Sequence, residues 1–418
     1  MKQRTAGLSG TWQPFLFSVV LLFTACFICL MLTSGFAAPP PKIKVSVLSK
    51  YAPQEIIVRG ADGILFAENQ QIKTGGLPVR IKLAPQQISF EIKGKPRVVN
   101  SLYFSFPKTF TVQVADVQRF YSGSLSVTHG GGELLLVVRM NTEEYIAAAA
   151  RSELGELLAE KPKDAAADWK RELIAAMEIT IRSWLAAQPI KHVAKDYDIC
   201  DLTHCVHFAG LPAKGVASIS AGRIMLDKTG KPFEAFFHSS CGGVLTGPEV
   251  YWRSKEEHSC FRRGGDHPEA RLQPDAGKPA DLSQDKNPWC AASPHFNWTR
   301  EVSSDEMSRI TNISDLVEIT PEYREGRVSS LVCGTVFGEQ RLVSVSAFLS
   351  KAGRLLGWNA IKSNMFNISK TAKGWLLAGR GLGHGVGLCQ WGAAAQAKAG
   401  KKASDILSFY YNSPIISD

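Results

Sequence analysis

Glu153 is a carboxylate whose spacing sets it among apolar residues. Asn141, with Glu144 three residues on, reads as the capping box of a helix that runs to about Ala159. The apolar stripe of that helix is Ile146, Ala149, Ala150, Leu154 and Leu157; Glu153 falls inside it, while Glu156 and Glu160 fall outside. A carboxylate on an inward face is costly unless it is paired or protonated. Partial burial raises its pKa, which suits a general acid at neutral pH, and glycoside cleavage needs such an acid at the leaving oxygen. The plainer reading is a structural Glu paired with a cation such as Arg182 on the next helix, and spacing alone favours it.

Three further groups carry reactive side chains. HVAKDYDICDLTHC holds His192, Cys200, His204 and Cys205, a set able to supply tetrahedral zinc, although its spacing is not that of a standard finger. A Cys200–Cys205 disulfide with solvated histidines fits the same residues. HSSCGG, from His238 to Gly243, puts Ser, Cys and His side by side, but without a nucleophile-elbow pattern. Finally, GRGLGHGVGLCQWGA (Gly379–Ala393) has six glycines, one His, one Gln and one Trp. It lacks the acidic ribose partner of a dinucleotide fingerprint and the Gly-Lys-Ser/Thr of a phosphate loop. Its glycines let backbone approach a ligand or take positive φ, and His384 is either a site group or a turn residue.

These groups need elements to position them. Residues 43–139 read as strands: KIKVSVL, EIIVRG, VRIKL, ISFEI, FTVQV, LSVTH and ELLLVV alternate or run apolar between Gly, Pro, Asn and Asp. A second helix is expected from about Ala166 to Ala187, with Trp169, Leu173, Ala176, Met177, Ile181 and Trp184 on one face. Residues 242–294, rich in Gly, Pro, Asp and charge, read as a long surface insertion. A last helix spans about Ala403 to Tyr411. The expected fold is α+β: a β-rich N-terminal module (39–140) packed on a mixed helical and strand core (141–418) that contains the insertion.

The 418-residue chain begins with Lys2, Arg4 and an uncharged apolar run from Phe15 to Leu32, then Gly35-Phe36-Ala37-Ala38. Residues 1–38 therefore read as a secretory signal cleaved after Ala37, or as an uncleaved N-terminal anchor. Export implies a periplasmic or cell-envelope location. Beyond residue 38 there are seven cysteines, so at least one is unpaired, metal-bound or paired between chains. A net charge of +10 favours anionic envelope polymers. No Lys/Arg block of nucleic-acid type is present, so nucleic acid is not an expected partner.

Six ordered blocks resemble the SpoIID/LytB family, the stage II sporulation protein D group. NTEEYIAAAARSEL is similar to the block ending in that family's essential Glu, and LIAAMEITIRSWL to its KAQAVAARTYA segment. DICDLTHCVHFAG, FFHSSCGG and SAFLSKAGRLLGWNAIKSNMF follow in family order, and GRGLGHGVGLCQWGA with DILSFYY resembles the closing signature. Departures occur at Ala147–Ala150, where the family usually has Gly-Val-Val, at Ser183-Trp184 for Thr-Tyr, and at Cys241–Thr246, which carries one extra residue.

The resemblance covers about Lys44 to Ser413 and implies a lytic transglycosylase acting on peptidoglycan glycan strands stripped of stem peptides. It implies Glu153 as acid and base, a 1,6-anhydro product, and a groove lined by Arg182, Ser183, Thr246, His384 and Gln390. It also implies zinc on His192, Cys200, His204 and Cys205, as in some relatives. Other members modify wall amidases, so a non-catalytic wall-binding enhancer of an amidase is the second expectation, and a zinc hydrolase the third.

Overall fold

The computed structural model describes residues 38–160, 168–187, 192, 195–252, 259–267, 269, 277–280, 287–412 and 414–417. The expected signal or anchor segment lies outside them. Among the described residues no helix is long and apolar enough to cross a membrane.

Alternating side chains build the first layers. In the Glu133–Asn141 strand, Leu134, Leu136, Val138 and Met140 are buried and the residues between them are not, which is the two-residue period of a sheet with one inward face. This strand sits inside a seven-stranded sheet, between Lys42–Ser46 and Ser124–Gly130. A six-stranded antiparallel sheet runs from Val117–Tyr121 through Phe110–Val114, Glu55–Gly60, Val79–Ala84 and Gln87–Ile92 to Lys95–Val99. Buried side chains of both sheets belong to one hydrophobic cluster.

The same cluster takes in the helices, so the β-rich part and the helical part share a core. Asn141 ends the strand and caps the Thr142–Glu153 helix, its side chain accepting from Glu143 N (2.9 Å) and Glu144 N (3.1 Å). Only this half of the expected capping box forms, because the Glu144 carboxylate is taken by Ser122 Oγ. Nor does the helix run unbroken to Ala159. Leu154 leaves helical geometry, and a short turn resumes at Gly155–Ala159. Gly155 is the poor helix former at this break. Glu153 is thus the last residue of its helix.

Tyr145, Ile146 and Ala147–Ala150 are all buried, so this helix is enclosed on most sides, and small side chains let neighbours approach. It packs against the Trp169–Ala187 helix. That helix buries the expected Trp169, Leu173, Ala176, Met177, Ile181 and Trp184, together with the polar Glu178, Thr180, Arg182 and Ser183. The Gln390–Lys398 and Ala403–Tyr410 helices return from the C-terminus to pack on it.

A second buried cluster lies between residues 298 and 377. Two three-stranded sheets, Asn297–Ser303 with Gly374–Arg380 and Phe366–Thr371, and Leu316–Arg324 with Arg327–Thr335 and Gln340–Ser344, enclose it with two amphipathic helices, Ser304–Thr311 and Val345–Leu356. The architecture is mixed α+β with a β-rich N-terminal region, as expected.

Much of the stretch expected as a surface insertion (residues 253–258, 268, 270–276 and 281–286) lies outside the described residues, while its beginning packs into the protein. Residues 241–250 are buried throughout, and Val244–Leu245 pairs with Gly264–Gly265. Arg263 of this stretch bridges Glu249 and, outside it, Glu325, so at least these charges are paired.

Candidate active site

The end of the Thr142–Glu153 helix and the 206–209 loop form one hydrogen-bonded unit. Glu153 Oε1 accepts from the main-chain N–H of His207 at 2.7 Å. The neighbouring Ser152 Oγ accepts from Ala209 N at 3.0 Å. On the other side, Gln390 Nε2 donates to Glu153 Oε2 at 3.4 Å. Gln390 opens its helix at the end of the glycine-rich run, so residues 237 positions apart meet.

Glu153 is half-buried, and among the described residues no ion pair joins it. Burial pushes its carboxyl up to about 7, while the His207 N–H and the Gln390 amide pull in the opposite direction by favouring the anion. A carboxyl held near neutrality in a partly enclosed site can give and take a proton at physiological pH.

The pairing of Glu153 with Arg182, left open by the sequence, does not occur. Arg182 instead forms a two-point ion pair with Glu143 and donates to Arg223 O at 2.8 Å and Ser218 Oγ at 3.1 Å. It is 1% exposed. Ser183 is equally buried, donating to Ile179 O (2.7 Å) and accepting from Met225 N (2.8 Å). Thr246 is buried against Glu325, to which its hydroxyl donates at 2.7 Å. These three, expected along a groove, lie at interior positions. Their hydrogen-bonding capacity is spent on the protein, and a polar group so enclosed is not offered to a ligand.

His384 is half-buried in an aromatic nest, its ring centroid 4.9 Å from Trp252, 5.4 Å from His238 and 5.8 Å from Tyr251. Burial, reinforced by the Arg327 charge, lowers its pKa to about 3, so it is neutral at physiological pH. Its contacts are with this nest and not with Glu153. Only Gln390, of the expected groove residues, reaches the carboxyl.

HSSCGG contains no assembled dyad. His238 Nδ1 donates to Val386 O at 3.1 Å, while His238 Nε2 and Ser240 Oγ are both buried without a hydrogen-bond partner.

His192, Cys200, His204 and Cys205 do converge. One ligand atom from each lies within 4.8 Å of all the others. His192 Nε2 is 3.4 Å from Cys205 Sγ, and Cys200 Sγ is 3.2 Å from His204 Nε2. Tetrahedral zinc, with Zn–S near 2.3 Å and Zn–N near 2.0 Å, sets such atoms about 3.3–3.8 Å apart, so the donor set fits. Cys200 and Cys205 are not joined as a disulfide. The cluster stands immediately before the loop that holds Glu153.

The main-chain contribution of His207 was invisible in the sequence, because any residue supplies an N–H. A cavity of about 530 Å³ lined by Trp298, Tyr323, Phe366 and Arg380 lies in the second cluster, among none of the residues around Glu153. Chemistry, not cavity size, marks the Glu153 site.

No family model matches the chain. It is 25% identical over 213 residues to the amidase enhancer of Bacillus subtilis (strain 168), covering 45% of this chain and 30% of that protein. It is 27% identical over 199 residues to stage II sporulation protein D of the same organism, covering 46% of this chain and 48% of that protein. An uncharacterized protein of Brachyspira hyodysenteriae is 23% identical over 321 residues, 71% of this chain and 72% of that one. The chain thus spans about half or less of the length of the two relatives with descriptive names. Its similarity is to the stage II sporulation protein D and amidase enhancer proteins, at a distance and over less than half its length.

Proposed function

We propose that this protein acts at the cell wall as a lytic transglycosylase on peptidoglycan glycan strands, with Glu153 as general acid and base. One observation carries the reading: a half-buried carboxyl, without a cationic partner among the described residues and raised to about 7, at the end of the Thr142–Glu153 helix. In the proposed reaction the Glu153 carboxyl donates its proton to the bridging glycosidic oxygen as the C1–O bond breaks. The sugar's own C6 hydroxyl forms a new bond to C1 and gives its proton back to the Glu153 carboxylate. The products are a free hydroxyl on one fragment and a 1,6-anhydro end on the other, and the carboxyl is restored. A second catalytic carboxylate is not required.

The His207 N–H and Gln390 amide favour the anion left after the first proton transfer, which supports the two-stage role. His192, Cys200, His204 and Cys205 would hold zinc, and the metal would supply structural fixation of the turn leading to His207. The similarity to stage II sporulation protein D fits a cell-wall role. Digestion of peptide-stripped glycan by the purified protein tests the proposal. Anhydro-sugar ends from the unaltered protein and none from Glu153→Gln are expected; undiminished production by Glu153→Gln overturns the mechanism.

A second reading is favoured by the similarity to the amidase enhancer: a wall-binding module that assists a wall amidase without cutting glycan itself. A charge of +10 suits either reading. Retention on isolated sacculi, with stimulation of an added amidase and no anhydro ends, selects the second.

A further inference from the structure

Another set of ligand-bearing side chains lies in the core. Cys241, Asp266, Cys290 and Cys389 each offer an atom within 4.8 Å of the other three. All four residues are fully buried. Cys241 Sγ and Cys290 Sγ stand 3.4 Å apart. They come from separate parts of the chain: the HSSCGG turn, the loop after Gly264–Gly265, the short Trp289–Ala292 helix, and the residue before Gln390.

We propose that these four side chains form a second metal site, a buried Cys3Asp centre for zinc. Zinc binds both thiolate sulfur and carboxylate oxygen and is four-coordinate in closed structural sites, so three sulfurs and one carboxylate oxygen make a complete set.

The surroundings match that use. Cys389 Sγ accepts main-chain N–H groups from Cys241 at 3.3 Å and Gly392 at 3.4 Å, so its sulfur is placed as an acceptor at the start of a nine-residue helix. Asp266 is held on both oxygens: Oδ2 accepts from Cys290 N at 3.1 Å and Oδ1 from Tyr410 Oη at 3.0 Å. Such outer hydrogen bonds orient metal ligands. Arg327, also fully buried, donates to the carbonyls of Cys241 and Val244 and to Asn364 Oδ1. Among the described residues it has no carboxylate ion-pair partner, and a buried cation requires one. Three thiolates, one carboxylate and a divalent ion carry a net charge of minus two, which gives Arg327 a counter-charge beside it.

Coordination replaces the three thiol protons by the metal and releases them to solvent; no oxidation is involved. A Cys241–Cys290 disulfide is the competing use of these residues. It would employ two of the four ligands and leave Asp266 facing neutral sulfur in the core. The metal also acts at a distance, since Cys389 precedes Gln390 and the centre therefore fixes the start of the helix whose first side chain meets Glu153.

Metal content is the test, and it does not depend on glycan cleavage. In the full chain, Cys200→Ser combined with Cys205→Ser removes two ligands of the outer cluster and leaves the buried quartet intact. This variant, purified in the presence of zinc, is expected to hold one zinc per chain, with all remaining cysteines reactive after denaturation. Adding Cys290→Ser is expected to abolish that zinc. A zinc-free, folded Cys200→Ser/Cys205→Ser protein overturns the proposal, and so does a denatured mass lower by the two hydrogens of a cystine. Should the variants fail to fold, a zinc-edge anomalous map from crystals of the unaltered protein decides. A peak among the four ligands supports the site; its absence, or continuous density between Cys241 and Cys290, overturns it.

Discussion

Gln390 Nε2 lies 3.4 Å from Glu153 Oε2 and links the glycine-rich C-terminal run to the carboxyl at the end of the Thr142–Glu153 helix. The amide hydrogen can donate only, so it favours the ionised form. Replacing Gln390 by Ala removes that preference and leaves burial to dominate. The alkaline limb of the pH–rate profile for Gln390→Ala is therefore expected to move upward, by up to about one unit for a bond of this length. A profile that stays in place, or moves to lower pH, contradicts the assignment.

Glu153 also leaves a signature in stability. Its folded-state pKa of about 7 exceeds the ordinary value of 4.5, so between those values the folded state binds more protons than the unfolded state. Stability from this group is fully present below about 4.5 and is lost as pH rises through about 7. Glu153→Gln, which never ionises, escapes the loss. Its melting temperature should match that of the unaltered protein near pH 4 and exceed it at pH 8, as thermal denaturation across that range would read. Under the proposed mechanism activity requires the protonated acid and is expected to fall over the same upper limb.

Arg182 was expected to touch glycan and is found holding Glu143. Glu143 keeps 35% of its side chain exposed, so solvent offsets part of the lost pairing, and the cost, about 1–3 kcal/mol, comes largely from the buried acceptors and space that the guanidinium leaves. Arg182→Ala should lower the denaturation midpoint by that order. Activity per folded molecule should stay close to normal, because Arg182 has no free donor aimed at solvent. A large loss of kcat in a fully folded Arg182→Ala protein would restore the groove assignment.

What was legible in the sequence follows from what has a period or a residue type. The strands up to Asn141 alternate, and the stripe of the following helix put Glu153 in a face where a carboxylate is out of place. The metal-ligand types at His192–Cys205 named their own cluster. Illegible were contacts of no fixed residue type, such as the His207 N–H, and partners separated by long chain segments. Cys241, Cys290 and Cys389 are far apart in sequence, and tertiary packing places the segments between them. The groove role of Arg182 rested on resemblance alone, and its pairing with Glu143, 39 positions away, has no sequence signal.

The glycine run itself is explained by backbone geometry more than by ligand contact. Gly385 has φ of +77°, and a Cβ built there would lie 2.3 Å from the guanidinium carbon of Arg327. Gly387, at φ +70°, would meet the Phe236 carbonyl oxygen at 2.1 Å. Between them Val386 is buried in the main core. Alanine at 385 pays twice, for left-handed backbone and for displacing a fully buried arginine. Gly385→Ala should therefore destabilise the fold by about 2–4 kcal/mol, more than alanine at Gly400, where φ is +83° but no atom lies within 4 Å of the added carbon. Strain from φ is common to both positions, so the difference between the two variants in chemical denaturation isolates the steric part. Equal destabilisation would mean that Arg327 moves aside without cost, and the close approach at Gly385 would then not account for that glycine.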